Sequence, residues 1–473
     1  MPISPAYQPD PQFVTLGDGF FDPVAPADFP QTILRYRNDR AAASVGLGEL
    51  SDSEWIAHFG RFSPLPGNID PPVAMRYHGH QFRNYNPDIG DGRGFLFAQL
   101  REAGTGRLLD LGTKGSGQTP WSRFGDGRLT LKGGVREVLA TALLEALGVP
   151  TSRSFSLVET GEALERNDEP SPTRGAALTR LSHSHIRFGT FQRHAFEEAP
   201  ERITALIDHV IAHYYPEIEG AEDRPAALLG AVSERMARLA ASWMAAGFVH
   251  GVLNTDNMNI TGESFDYGPY RFLPRNDPNF VAAYFDHSGL YSFGRQAEAV
   301  FWNLRQLGGC FSLVSSPEPL VEALNGFAGV YRAELAAAMR RRLGVRSQGT
   351  EADSSLAQAA FQALAAGGEP LRWEPFFFDW FGGDEARALA GVRGDIYREG
   401  AFEDFRAQLA TFEPVRPGAL SHPYFAAPEP QELIYEEIEV IWARIDQADD
   451  WSAFEAKLAA IETARQAYGL SEG

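Results

Sequence analysis

Short apolar runs bounded by glycines mark the chain beyond residue 90. The segment GDGRGFLFAQL (90–100) reads as a glycine turn feeding a strand, and GTGRLLDLGTKGSG (104–117) as a turn, a second strand and another glycine turn. The period then changes. In GGVREVLATALLEALGVP (133–150), Val135, Val138, Leu139, Ala142, Leu143 and Leu147 recur at helical spacing, and Gly148 with Pro150 closes the helix. A strand SRSFSLVET (152–160) and a polar loop GEALERNDEPSPTRG (161–175) follow.

Downstream the helical period prevails. Val232, Met236, Leu239, Ala240, Trp243 and Met244 form one stripe of a helix over 228–247 that Gly247 ends. Further helices are expected over 297–308, 320–344 and in the tail, with a flexible connection at 346–355. Before residue 84, Pro, Gly and aromatics abound around one helical patch at 51–60, where Ser51 and Glu54 spell a capping box. The reading is an α+β protein. Residues 1–84 form an N-terminal extension, 85–160 a small nucleotide-gripping lobe, 161–345 a mainly helical lobe and 346–473 a helical C-terminal extension.

Composition narrows the function. Of 473 residues, 44% are hydrophobic and 22% charged, as in ordinary globular proteins, but the net charge is −20. That balance repels nucleic acid and anionic membranes, so neither is an expected partner. Cys310 is the single cysteine, which excludes an intrachain disulfide and a zinc site built on cysteines. The start, MPISPAYQPDPQFV, lacks a secretory pattern, and no apolar run of about 18 residues offers a membrane span. A cytoplasmic monomer is expected.

The loop HGVLNTDNMNI (250–260) resembles the H-G-D-x-x-x-x-N catalytic loop of small-molecule kinases, with Val252 where the basic aspartate belongs. A valine cannot accept a proton. Other parts of ATP machinery are nevertheless present. The glycines of IGDGRG (89–94) let backbone N–H groups approach a phosphate. Lys114 ends a strand and Glu137 lies in the next helix, the order in which a strand lysine pairs with a helix glutamate. Asp266-Tyr267-Gly268 resembles the D-F-G that presents a metal-binding aspartate. Asn257 and Asp266, at the two ends of a hairpin-sized segment, can converge on one Mg²⁺ through hard oxygens. Arg180 and Arg187 can form a cationic clamp for phosphate. The pairs His78/His80 and His183/His185 read as structural, no third ligand being indicated, and Asp286-His287-Ser288 lacks the nucleophile elbow of a hydrolase.

Taken in order, YHGHQF (77–82), GDGRG, GTKGSGQTPWSRFGDGR (112–128), REVLATALLEALGVPTSRS, LTRLSHSHIRFGTF (178–191), HGVLNTDNMNITGESFDYGPY (250–270) and WNL (302–304) resemble the selenoprotein O family across residues 77 to about 305. The resemblance implies a kinase-like bilobal fold with a different chemistry: transfer of AMP from ATP to Ser, Thr or Tyr hydroxyls of proteins, with UMP transfer and Mn²⁺ also associated with bacterial members. It implies an ATP lying reversed relative to kinases, which makes Val252 tolerable. By the same resemblance Gly90, Gly92, Arg93, Lys114, Asp126 and Gly127 contact nucleotide, Arg180 and Arg187 hold the far phosphates, Asp256 is the acceptor's base, and Asn257 and Asp266 bind Mg²⁺ or Mn²⁺. Two departures stand out. The chain finishes LSEG, without the terminal selenocysteine or cysteine of many relatives, and Leu290 stands where the family usually has Arg. Ordinary phosphoryl transfer, with Asp256 as a displaced base, and a non-catalytic ATP-binding scaffold are the alternatives.

Overall fold

The computed structural model describes residues 4–167 and 169–470. Apolar strands between glycine turns assemble one antiparallel sheet. Its strands are β1 (Phe21–Pro23), β2 (Ile33–Arg37), β3 (Val73–Met75), β6 (Leu96–Arg101), β7 (Leu108–Lys114), β8 (Leu129–Thr130), β9 (Arg153–Leu164) and β10 (Thr173–Ser182). Their order is β1-β3-β6-β7-β10-β9-β2, with β8 paired to β10. Outside it, β4 (Gly79–Gln81) and β5 (Asn84–Asn86) make a separate hairpin, and β11 (Phe248–Val249) pairs with β12 (Arg271–Phe272). The first 84 residues thus supply three strands of the main sheet.

Helices α1 (Asp39–Ser44) and α2 (Asp52–Phe59) lie between β2 and β3. The Ser51 hydroxyl accepts from the Glu54 backbone N–H and the Glu54 carboxylate accepts from the Ser51 N–H, so the capping box forms as read. Trp55 and Phe59 of α2 pack with Phe97 and Phe155 into a core on one side of the sheet. Helix α3 (Leu131–Ala146) packs its Val135, Val138, Leu139 and Leu143 into the larger core, against β9 and β10.

The remainder is helical. Helices α4 (Phe188–Phe196), α5 (Pro200–Tyr214), α6 (Arg224–Ala245) and α7 (Gln296–Phe311) surround the loops around 250–290. The stripe expected on α6 is buried throughout. Next come α8 (Pro317–Asn325), α9 (Phe327–Arg342), α10 (Thr350–Ala366), α11 (Trp373–Asp379), α12 (Glu385–Ala390), α13 (Gly394–Tyr397) and α14 (Glu403–Leu409). The last two helices are α15 (Tyr435–Ala448) and α16 (Ser452–Tyr468), and α16 lies along α3.

Three expectations are corrected. Both ends of the polar stretch 161–175 are strand, the end of β9 and the start of β10, because Glu159 pairs with Arg174 and Glu162 with Arg128 across the sheet, both at 2.7 Å, so polar residues line paired strands. The helix expected over 320–344 is two helices broken at Gly326. The flexible connection at 346–355 already contains the first turns of α10. There the Asp353 carboxylate accepts from the Ser347 hydroxyl at 2.7 Å and the Gln348 N–H at 3.1 Å, tying the incoming chain to the helix.

Candidate active site

Where the end of β7, the turn before β6 and the 254–257 loop meet, a cavity of about 600 Å³ opens. Gly90, Gly92, Arg93, Asp126, Gly127 and Asp256 line it. The glycines are there for close approach. A Cβ on Gly90 would stand 2.5 Å from the Trp121 ring, and one on Gly92 2.9 Å from the Trp121 carbonyl oxygen. Gly127 combines φ +71° with a virtual Cβ 2.3 Å from Gly117, which only glycine accommodates. Arg166 grips the neighbouring Asp126 carboxylate at 2.8 Å, so the far wall of the cavity is tied to the β9–β10 connection.

Behind the cavity four charges interlock. Lys114 Nζ lies 2.7 Å from Glu137 and 2.7 Å from Asp266, and Arg180 lies 3.4 and 3.3 Å from the same two carboxylates. Two cations thus face two anions, and all but Asp266 are almost fully buried. Burial opposes charge on Asp266, but Lys114, then Arg180, Arg93 and Arg187, outweigh it and hold the carboxyl well below its usual range. Asp266 adopts φ +65°, a left-handed conformation that its neighbours must impose. One of them is His250, buried, whose Nε2 lies 3.0 Å from the carbonyl of Phe265.

Arg180 and Arg187 flank the Phe265 ring, their guanidinium carbons 5.9 and 5.2 Å from its centroid. They serve different neighbours. Arg187 donates to the Tyr77 hydroxyl at 2.8 Å, to Asp91 at 3.0 Å and to the Asp256 carbonyl at 3.3 Å, linking the glycine turn to the 254–257 loop. Sequence reading missed Tyr77 and Asp91 as its holders, although both lie inside motifs it singled out.

Asp256 sits in a short 3-10 turn, Thr255–Asn257. Its Oδ1 is buried with no hydrogen-bond partner among the described residues. Gly79 makes room for it, since a Cβ there would stand 2.9 Å from Oδ1. Burial, partly offset by Arg187, pushes the carboxyl up to about 6. Asn257 donates its amide to the Val252 carbonyl at 3.0 Å, leaving Oδ1 without a donor among the described residues. The segment between Asn257 and Asp266 is not the hairpin expected. Its residues pair outward, Asn259 with Arg187 and Ser264 with Thr151, and the Ile186 carbonyl accepts from Ile260 N–H at 2.9 Å.

The buried Nε groups of Arg180 and Arg187 find no acceptor among the described residues, which suits a site for a polyanion. Two hard oxygen donors, Asn257 and Asp266, suit a magnesium or manganese ion that completes its shell with phosphates and water. Among the described residues no three His, Cys, Asp or Glu side chains gather into a metal cluster, and the histidine pairs go elsewhere. His183 N–H donates to Glu263 at 2.8 Å, and the His185 ring lies 3.5 Å from Asp110. No helix of the described residues is long and apolar enough to cross a membrane.

The family model described as Protein adenylyltransferase SelO matches residues 5–389. The protein nucleotidyltransferase YdiU of Synechocystis sp. is 52% identical over 343 residues, covering 72% of this chain and 71% of its own. The Gloeobacter violaceus protein of the same name is 45% identical over 466 residues, 94% of this chain and 93% of its own. That of Pseudomonas putida (strain GB-1) is 40% identical over 401 residues, 84% and 80% respectively. By sequence and along most of its length, this chain belongs to the SelO family of protein adenylyltransferases.

Proposed function

We propose that the chain transfers AMP from ATP to Ser, Thr or Tyr hydroxyls of other proteins, with UTP as a second donor substrate. The observation that carries this reading is Asp256: a buried carboxylate with an unpartnered oxygen, lining the same cavity as the glycine cradle. In the proposed step Asp256 takes the proton of the acceptor hydroxyl, the hydroxyl oxygen bonds to the α-phosphorus, and the bond to the β-phosphate oxygen breaks to release pyrophosphate. Its raised proton affinity suits a base that works near neutral pH. Gly90, Gly92, Arg93, Asp126 and Gly127 hold the nucleotide along the cavity, and Lys114, kept in place by Glu137, meets the phosphates with Arg180 and Arg187. Asn257 and Asp266 hold Mg²⁺ or Mn²⁺, which supplies charge neutralisation for the triphosphate.

In this reading the architecture is a kinase-like bilobal fold. Residues 85–160 are the nucleotide-gripping lobe, joined in its sheet by strands from the 1–84 extension, 161–345 carry the catalytic and metal-binding loops, and 346–473 are the C-terminal extension. The protein acts as a monomer in the cytoplasm, without nucleic acid or membrane as a partner. Parallel incubations with α-labelled and γ-labelled ATP test the chemistry. Protein-bound α-label with pyrophosphate release is expected, whereas γ-label alone on protein would show a kinase.

A further inference from the structure

Within the motif YHGHQF, Tyr77 accepts from Arg187 and Gly79 makes room for Asp256, whereas His80 has had no part so far, yet it sits against the loop that holds Asp256. Hairpin β4–β5 spans residues 79–86 and turns on Phe82 and Arg83, with φ +50° and +64°. Two consecutive left-handed residues of a two-residue turn are ordinarily Asn or Gly. Here a phenylalanine and an arginine accept the strain, which persists only where surroundings over-determine it. The surroundings are the catalytic loop. Phe82 N–H donates to Asn254 Oδ1 at 3.0 Å, and the Tyr291 hydroxyl donates to the same oxygen at 2.9 Å.

Between His80, two residues before Phe82, and Thr255, one after Asn254, a closed ring forms. His80 N–H donates to the Thr255 hydroxyl at 2.7 Å, that hydroxyl donates to Gln192 Oε1 at 2.5 Å, and Gln192 Nε2 reaches His80 Nδ1 at 2.7 Å. With the Gln192 amide in this orientation, Thr255 gives its proton to the side-chain carbonyl, the amide nitrogen donates to His80 Nδ1, and the imidazole is neutral with its proton on Nε2. Its ring is wedged between Tyr85 and Trp302, at 5.0 and 5.2 Å between centroids, and the Tyr85 hydroxyl donates to the Gln192 backbone carbonyl at 3.2 Å. Three distant elements, β4, α4 and the loop, meet at the residue preceding Asp256.

We propose that His80, Thr255 and Gln192 form a positioning ring that fixes the Thr255–Asp256 backbone and so aims the Asp256 carboxylate at the acceptor hydroxyl. The proposal rests on the adenylyltransferase reading for the role of Asp256. None of the three touches the reacting atoms. Each acts through the loop, with Gly79 beside them leaving the space the carboxylate occupies.

The full chain is the test object, with AMP transfer to an acceptor protein mixture, affinity for a non-hydrolysable ATP analogue, and hydrogen exchange of the 250–260 peptide as readouts. His80→Leu and Thr255→Val each remove one link. Each is expected to lower kcat about 10- to 100-fold, the range for a misaimed catalytic group, with analogue affinity held within twofold and faster exchange in 250–260. The double variant should lose little more than either single one, because the ring breaks once. His80→Asn places an amide oxygen near the Nδ1 position, and Thr255→Ser keeps the hydroxyl, so both should recover most of the rate. Additive losses, equal damage from His80→Asn and His80→Leu, or unchanged exchange in 250–260 would overturn the ring. If the unaltered chain transfers no AMP, the adenylyltransferase reading fails by itself, and the exchange measurement still decides whether the ring holds the loop.

Discussion

Adjacent side chains with separate surroundings are the central feature at the scale of single residues, and the proposed reading gives them separate tasks. Asp256 has an unpartnered carboxylate oxygen in the cavity, whereas Asn257 is anchored to the Val252 carbonyl. Asp256→Ala is expected to cut AMP transfer by about 10²–10⁴ while analogue affinity stays within a few-fold. Asn257→Ala should damage both, and equal affinity losses in the two variants would refute the division of labour. Away from the cavity, Glu263 offers a measurement free of catalysis. Burial pushes its carboxyl up to about 7, against the His183 N–H and the arginines 153 and 107. The folded state therefore keeps this proton where the unfolded chain has lost it. Its contribution is fully present below about pH 4.5, shrinks as pH rises, and is gone above about 7. Glu263→Gln, which can still accept from His183, should raise the melting temperature relative to the parent increasingly between pH 5 and 8. A pH-independent difference would show that Glu263 does not titrate in this range.

Among elements, α3 joins site and scaffold: Glu137 points to Lys114, while other faces pack on the sheet and on α16. Ile461 of α16 is buried beside this seam. Ile461→Ala should cost about 2–5 kcal/mol, read as earlier denaturant unfolding, with nucleotide affinity measured alongside to show whether the loosening reaches Glu137. The elements also show what the chain reveals before folding. Lys114 and Glu137 were legible together because strand, turn and helix follow one another and the pair closes locally. The stripe on α6 was legible because six apolar residues share one face. The Arg187–Asp91 pair was not, because it joins residues 96 apart with no pattern between them. The break at Gly326 escaped because apolar spacing continues from Leu324 to Phe327 and Val330 across it. The polar ends of β9 and β10 escaped because ion pairs, not apolar alternation, hold them together. The path between Asn257 and Asp266 was misjudged as a hairpin, since its pairing partners lie near residues 150 and 187.

For the molecule as a whole, a net charge of −20 coexists with a site in which Lys114 and Arg180 are already held by its own carboxylates. Asp266 spends its charge on Lys114 and Arg180. A triphosphate that engages those two cations sets Asp266 free for a divalent ion, and an ion on Asp266 sets the cations free for phosphate. On the proposed reading the two ligands promote each other, and thermodynamic linkage then requires equal enhancement in both directions. Mn²⁺ titrated into the protein with and without the ATP analogue, corrected for Mn²⁺ held by free analogue, should show a coupling of about 5- to 150-fold. Lys114→Met removes one internal competitor, so Mn²⁺ alone should bind it more tightly and the mutual enhancement should shrink. Unchanged coupling in that variant would mean that Asp266 is not the switchboard. If the coupling is real, an empty site is self-neutralised and takes either ligand alone about 5- to 150-fold more weakly than in the company of the other, a latch that the two loosen for each other.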